Sequence, residues 1–502
     1  MDQPVSWQAV FEQVRRDFPS IVPEVMLAVF GLAILFTDGS LNARQKSWNA
    51  LTAIFGVAFS AAALWLMSGV QASTFDNSIL VDPFFLFFGL VVLVLTAVVI
   101  LLSVRTSEME GEQQGLQFAL MLFAATGMLF AACGNDLVLL FVALEIMAAS
   151  FYVLSGFLRD DRRSNEGALK FAVTGIFSSA ILAYGFSILY GLAGSTNLTV
   201  IAQKIAERHS QWPADSLTYV AFATIAAGIL FKIAAAPFHQ WAPDALDGAP
   251  AGCAAFVSIG SATAGFAVLL RLLLGVFWPL AVAWVWAIAA VAVLSLTIGT
   301  FAAITQSNIK RLLAYSSIAQ IGYVLLGLVA AVNKDGTLNT RGLRAAGYYL
   351  LAYAVFTTGA FGIVELLRRK GMAADELDDL HGLVRRSPFA AILMLVFLLS
   401  LAGVPLTAGF VAKLMVISAL VETQHSSLAV AAVLYMLPAV YFYFRMIAAM
   451  WAREPGDAMN PAIEWTQELA LGAMAATTLA AGIFPEQFVR FAQSSVLRSF
   501  LH

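Results

Sequence analysis

A chain of 502 residues that is 60% hydrophobic and only 12% charged falls far below the roughly 25% charge of soluble proteins, so its solvent is lipid. A net charge of −3 gives no basis for nucleic-acid binding. The two cysteines, Cys133 and Cys253, are too few for an iron–sulfur cluster, which takes about four.

In chain order, the first twenty residues are polar and lack a small-residue cleavage site, so they do not read as a signal peptide. A helix crosses the hydrocarbon core in about 20 apolar residues. On that measure about fourteen spans are predicted, near 20–36, 48–68, 82–104, 116–133, 135–157, 168–194, 217–237, 249–273, 278–305, 310–331, 343–366, 388–416, 427–451 and 464–485. The cut at Gly134-Asn135 is the tightest. The runs are long and show no period-two alternation, which excludes a barrel. The expected fold is an all-α integral membrane protein, one polytopic domain over 1–502. The longest connections, near 195–216 and 367–387, are too short for a soluble domain. Loops after odd-numbered spans hold about 15 Lys and Arg, including Arg159, Arg162, Arg163, Lys310, Arg311, Arg368, Arg369, Lys370, Arg385 and Arg386, against about 10 elsewhere. The positive-inside rule then places both termini outside.

Ionisable groups within apolar runs are costly, about 2.5–3.5 kcal/mol each on insertion scales. Glu145 lies in LVLLFVALEIMAASFYVL, Lys232 in AAGILFKIAAAPF, His239 in PFHQW and Lys413 in GVPLTAGFVAKLMVISAL. Lys170, in EGALKFAVTGIF, enters its span by about one turn. Each has a plainer reading. Glu145, Lys232 and Lys413 would serve as fixed ion pairs between helices. Lys170 would snorkel to the interface. His239 would bond backbone freed by a helix break. Glu365 with Arg368 reads as an interface pair. No phosphate loop or dinucleotide fingerprint is present, and His239 stands alone, so no haem ligand pair exists within the spans.

Pro237 follows Lys232, and Pro405 precedes Lys413 between Gly403 and Gly409. Proline removes a backbone donor and breaks a helix, and breaks at membrane depth are tolerated only beside protein or a wet cavity. The two breaks fall in the seventh and twelfth spans. A five-helix unit repeated in tandem inserts its second copy upside down, so spans 4–8 (116–273) and 9–13 (278–451) are expected to form an inverted repeat. Burial disfavours a charged lysine and a nearby carboxylate favours it. A Glu145 that approaches and leaves Lys232 therefore loads and releases a proton.

These segments carry a resemblance. LEIMAASFYVLSGF, FKIAAAPFHQWAPDALDGAP, TQSNIKRLLAYSSIAQIGY, DLHGLVRRSP and LSLAGVPLTAGFVAKL resemble the antiporter-like membrane subunits of bacterial respiratory complex I, the NADH:quinone oxidoreductase. The N type fits best, because the M type has a glutamate where Lys413 stands and the L type is longer, with a lateral helix. The resemblance implies proton translocation through Glu145, Lys170, Lys232, His239 and Lys413, coupled to quinone reduction elsewhere in the complex. It implies no redox centre in this chain, with flavin and iron–sulfur clusters in partner subunits. The implied partners are other antiporter-like and small membrane-arm subunits, lipid, protons and water, in a bacterial inner membrane. One departure stands out: the eighth span of the family carries a lysine at the position of Ala262. Arg271 matches a span-end arginine and does not replace it. Ser258, Ser261 and Thr263 surround Ala262 and either hold water or pack tightly. Two alternatives follow: a subunit of a multi-subunit cation/proton antiporter, or a structural membrane-arm subunit that has lost its path.

Overall fold

The computed structural model describes residues 7–42, 45–110, 113–213, 215–367, 375–452 and 464–497. It is almost entirely helical. The helices run α1 (Trp7–Asp17), α2 (Val22–Asp38), α3 (Ser47–Leu66), α4 (Pro83–Glu110), α5 (Gln114–Cys133), α6 (Leu137–Ser155) and α7 (Arg162–Ala193). Then come α8 (Leu198–Gln211), α9 (Ser216–Lys232), α10 (Trp241–Gly248), α11 (Ala251–Arg271), α12 (Ala281–Ile304), α13 (Ile309–Val329) and α14 (Thr340–Leu367). The last are α15 (Leu383–Arg386), α16 (Pro388–Ala402), α17 (Ala408–Glu422), α18 (Ser426–Ala452), α19 (Trp465–Ile483) and α20 (Pro485–Leu497). A short antiparallel hairpin, β1 (Ala72–Thr74) with β2 (Ile79–Val81), joins α3 to α4. Phe75, Asp76 and Asn77 all take positive φ at its tip.

Among the described residues, eleven helices are long and apolar enough to cross a membrane, or twelve if α19 and α20, bent by 90°, count as one span. The fourteen expected from sequence are not reached on this measure. The shortfall lies at the two predicted breaks. There α9 and α16 are apolar but stop after 17 and 15 residues, short of the roughly 20 that a crossing needs.

Polar caps punctuate the bundle where the chain turns. Asp136 accepts from Val138 and Leu139 to start α6, so the Gly134-Asn135 cut holds. Asn197 and Asn308 start α8 and α13 in the same way, each side-chain oxygen satisfying helix N–H groups that otherwise have no partner. The loops sort onto two faces. On one face Asn308 bridges Glu376, and Lys310, Arg163 and Asp375 meet. Lys310, counted above as a loop charge, is in fact buried beneath Asp375 and the Ala249 carbonyl. On the opposite face Asn77, Asn135 and Asn197 interlock, and the Asp17 carboxylate accepts from Phe75 N–H. The α1 end thus shares a face with the β hairpin. The α20 end joins it there, with Phe491 packed 5.4 Å from Phe87 near the start of α4. Arg368, Arg369 and Lys370, and with them the Glu365–Arg368 pair, lie outside the described residues; Glu365 itself is buried and accepts from Gly252 N–H.

The centre of the bundle is α11, whose every residue is buried. Small residues let neighbours reach its backbone: a Cβ on Gly265 would sit 2.3 Å from Ile233, in the break after α9. Outward faces of α2, α3, α6, α7 and α18 carry exposed apolar side chains such as Phe36, Trp65, Val142, Phe177 and Leu437, as lipid or neighbouring membrane subunits require.

Candidate functional site

The two breaks are capped alike. After α9, Ala234 takes φ 55°, and Ala235 N–H reaches back to the Leu230 carbonyl. After α16, Gly403 takes φ 86°, and Val404 N–H reaches back to Leu399. Both are left-handed helix terminations that satisfy some of the terminal carbonyls. Trp241 Nε1 donates to the Phe231 carbonyl across the first break, and Ser295 Oγ of α12 accepts from Ala236 N–H. Proline removes one donor in each break, and these groups satisfy much of the backbone that remains polar.

Lys232 is the last residue of α9 and is buried. Its Nζ lies 3.0 Å from Glu145 Oε1 of α6 and 3.3 Å from Ser179 Oγ of α7. Ser179 donates to the same carboxylate oxygen at 2.5 Å. The expected approach of Glu145 to Lys232 is therefore present as a three-residue cluster. Its members are unequally sheltered: the Lys232 side chain is 4% exposed and that of Glu145 31%. Glu145 opens toward the outward face of α6 and α7, between the exposed Val142 and Ile146.

Lys413 sits in the second turn of α17 and is buried. No carboxylate pairs with it among the described contacts. Its Nζ donates to the carbonyls of Leu401 and Ala402, at 2.8 and 3.0 Å, and lies 5.2 Å over the Tyr323 ring. Those carbonyls close α16, where the negative end of the helix dipole and the π face both favour a cation.

The other two residues do not join this line. Lys170 lies two turns inside α7 with a half-exposed side chain, paired at 2.8 Å with both Glu166 and Asp244. Asp244 is shared with Arg311 at 2.6 Å. Lys170 thus belongs to a peripheral ionic cluster joining α7, α10 and α13. His239 lies in the first break, half-buried, with its Nδ1 buried and without a hydrogen-bond partner. No described hydrogen bond joins it to either lysine.

Ala262 is fully buried on α11. One residue before it, Ser261 Oγ donates at 2.5 Å to the Lys232 carbonyl. One turn before it, Ser258 Oγ lies 3.4 Å from Tyr353 Oη of α14. Arg271, at the end of the same helix, is occupied by Asp82 at 3.0 Å and by the Ala132 carbonyl. The sequence reading missed a second polar group, on α13, α14 and α18. Tyr349 donates to Gln320 Oε1 at 2.5 Å. Gln320 Nε2 donates to Tyr443 Oη at 3.1 Å and to the Leu401 carbonyl at 3.3 Å. A glutamine and paired tyrosines inside apolar runs, SSIAQIGY and YYLLAY, were the available signal.

A family model described as NADH:quinone oxidoreductase/Mrp antiporter, transmembrane, matches residues 134–437, the stretch that holds both breaks. The chain is 46% identical over 495 residues to NADH-quinone oxidoreductase subunit N 1 of Koribacter versatilis, covering 97% of this chain and 96% of the relative. It is 44% identical over 492 residues to NADH-quinone oxidoreductase subunit N 2 of Solibacter usitatus, covering 96% and 98%. Among solved structures it superimposes with TM-score 0.78 and 29% identity on a chain of respiratory complex I from Thermus thermophilus with bound aureothin, covering 94% of this chain and all of that one.

Proposed function

The chain belongs to the NADH:quinone oxidoreductase/Mrp antiporter family, and from that premise we propose that it is a membrane-arm subunit that moves protons while partner subunits pass electrons from NADH to quinone. The observation that carries this reading is the ion pair of Lys232 with Glu145, 3.0 Å apart at the end of a broken helix. A charge in a membrane bundle is costly and therefore marks a functional site, and a pair with one sheltered and one partly open member has two states to move between. With Glu145 close, the Lys232 ammonium is held. With Glu145 turned to the outward face, Ser179 alone remains, and the proton leaves. Energy enters as the difference between those arrangements, set by whatever neighbour touches Glu145.

Lys413 is the terminal group of the second half, and His239, with its free buried Nδ1, is a proton acceptor within the first break. Lys170 gathers charge at the face where Glu166, Asp244 and Arg311 meet. The matching caps after α9 and α16 support two five-helix units of opposite orientation, 116–273 and 278–451. The electron carriers, flavin and iron–sulfur clusters, reside in partner subunits. The face with Arg163, Lys310 and Arg311 is cytoplasmic, which puts both termini on the periplasmic side of a bacterial inner membrane. A second reading, a subunit that lends shape but conducts nothing, is favoured by Ala262 alone.

The test is Lys232→Met in the assembled complex in membrane vesicles. NADH oxidation by an artificial acceptor is expected to persist while NADH-driven proton uptake falls. Uptake per NADH equal to wild type would refute the reading.

A further inference from the structure

Ala262 is apolar and fully buried, yet polar side chains with partners on other helices stand beside it and one turn before it on α11. Ser258 and Ala262 are four residues apart on α11 and share one helix face. From that face the Ser258 hydroxyl meets Tyr353 at 3.4 Å, and Ser317 of α13 lies close to the same phenol outside hydrogen-bond geometry. Tyr353 and Tyr349 are again four apart, on one face of α14, and Tyr349 is hydrogen-bonded to Gln320. Gln320 in turn holds Tyr443 and the Leu401 carbonyl, which also receives Lys413 Nζ. At the other end, Ser261 is bonded to the carbonyl of Lys232. Polar groups therefore run from the backbone of one lysine to the carbonyl that holds the other. All are buried: Tyr349 and Tyr353 are 0% exposed, Tyr443 1% and Gln320 2%.

Packing alone does not require these hydroxyls. Phenylalanine fills nearly the same volume and avoids the cost of burying a phenol, which must find a partner for its O–H. Residues four apart on one helix face have Cβ atoms about 5–6 Å apart, so their polar groups lie near enough for bridging water to join them. A tyrosine hydroxyl accepts a proton on its oxygen while its own proton leaves for the next oxygen. One O–H bond forms and one breaks on the same atom, and no ion is stored there.

We propose that Tyr353 is the mid-membrane proton-carrying group of this chain, and that Gln320 positions Tyr349 and Tyr443 to continue the path toward Lys413. This rests on the proton-moving reading above and names the residues that keep that path intact past Ala262.

The test uses the assembled complex in membrane vesicles, with NADH-driven proton uptake read against NADH oxidised. Tyr353→Phe removes one oxygen and is expected to lower uptake per NADH and to enlarge the slowing in deuterium oxide. Ala262→Lys in the Tyr353→Phe background is expected to restore uptake, which repair of packing alone does not do. If Tyr353→Phe pumps like wild type while Lys232→Met does not, the relay is wrong and the functional reading stands. If both pump like wild type, both fall. A loss in Tyr353→Phe that Ala262→Lys does not restore, although Ala262→Lys alone pumps normally, overturns the proposal in favour of a packing role. Should Ala262→Lys fail to assemble, Ser258→Ala against Ser258→Thr decides, since only threonine keeps the hydroxyl. Equal uptake in those two overturns the relay.

Discussion

Replacing Glu145 by glutamine removes a charge and almost no volume, so its effects isolate the pair with Lys232. At a separation of 3.0 Å and an effective dielectric of about 20, the attraction is about 5 kcal/mol. The carboxylate is 31% exposed, and screening discounts that figure toward about 3 kcal/mol, the lower end for breaking a buried pair from one side. What remains for the Lys232 ammonium is the Ser179 hydroxyl at 3.3 Å, too little to solvate a buried cation. The subunit in Glu145→Gln should therefore dissociate from the purified complex at lower temperature, read on native gels after a heat step, and proton uptake should fall. The double replacement Glu145→Gln with Lys232→Met leaves no uncompensated charge and should recover the heat tolerance, because neutral substitutes for a buried pair are often as stable as the pair. It should not recover uptake. A double variant as heat-labile as Glu145→Gln, or a single variant equal to wild type in both measurements, would show that the pair is neither a strained charge site nor a working one.

Three further outcomes follow from the same structure. Gly409→Ala puts a Cβ 1.8 Å from the Ser400 carbonyl, a backbone clash between the two halves of the second broken span. It should cost about 3 kcal/mol, the upper range for overpacking, and reduce the amount of assembled subunit on native gels. Lys170→Met, by contrast, removes a half-exposed partner of Glu166 and Asp244, and heat tolerance should stay at wild type; loss of assembly would show instead that this cluster clamps α7 to α10. The Arg208 guanidinium, with help from the Thr218 hydroxyl, holds the Asp215 carboxyl well below the usual carboxylate range. A depressed carboxylate contributes stability that is complete above the unfolded value, near pH 4, and is lost as pH falls through the folded one. The melting difference between wild type and Asp215→Asn should be constant at neutral pH and shrink in acid; a difference independent of pH down to the acid limit would rule out the Arg208 contact as its source.

What could be read from the sequence was set by how strongly a feature violates its surroundings. Glu145, Lys232 and Lys413 stood out because charge is rare at bilayer depth. The two breaks stood out because proline has no N–H to give. The pairing of Glu145 with Lys232 was an expectation that the sequence could not place, because 87 residues separate them and helix faces fix contacts only after packing. The setting of Lys170 was half legible for a related reason: its depth within α7 was visible, but its rotation toward Asp244 was not. Lys310 read as a loop charge because its helix begins one residue earlier, at Ile309. The β hairpin was hidden in the short loop 69–81 between two expected spans, since three-residue strands leave too little alternation to register. Tyr349, Tyr353 and Gln320 escaped notice because neutral polar residues within an apolar run look like tolerated exceptions. Only the third dimension showed Tyr349 hydrogen-bonded to Gln320 and Tyr353 beside Ser258.

The two lysines are held in different ways, and that difference decides where force can be applied. Lys413 is fixed by carbonyls of its own broken span. Those groups cannot be withdrawn without unwinding α16, and no carboxylate among the described residues pairs with Lys413 to serve as a movable counter-charge. Lys232 is held by a side chain from another helix, and that side chain is the only acid among the described residues within 4 Å of it. Glu145 also looks outward, among exposed Val138, Val142 and Ile146, where lipid would offer it nothing and a polar neighbour would offer a second partner. A conformational change in that neighbour can therefore draw Glu145 off Lys232 at the cost of one side-chain rotation, whereas no comparable handle reaches Lys413. Under the proposed function, drive would enter the chain at the Glu145 face, and the far lysine would respond only through whatever joins it to Lys232. The proposed path past Tyr353 would then be the part of the structure on which transport across this subunit turns.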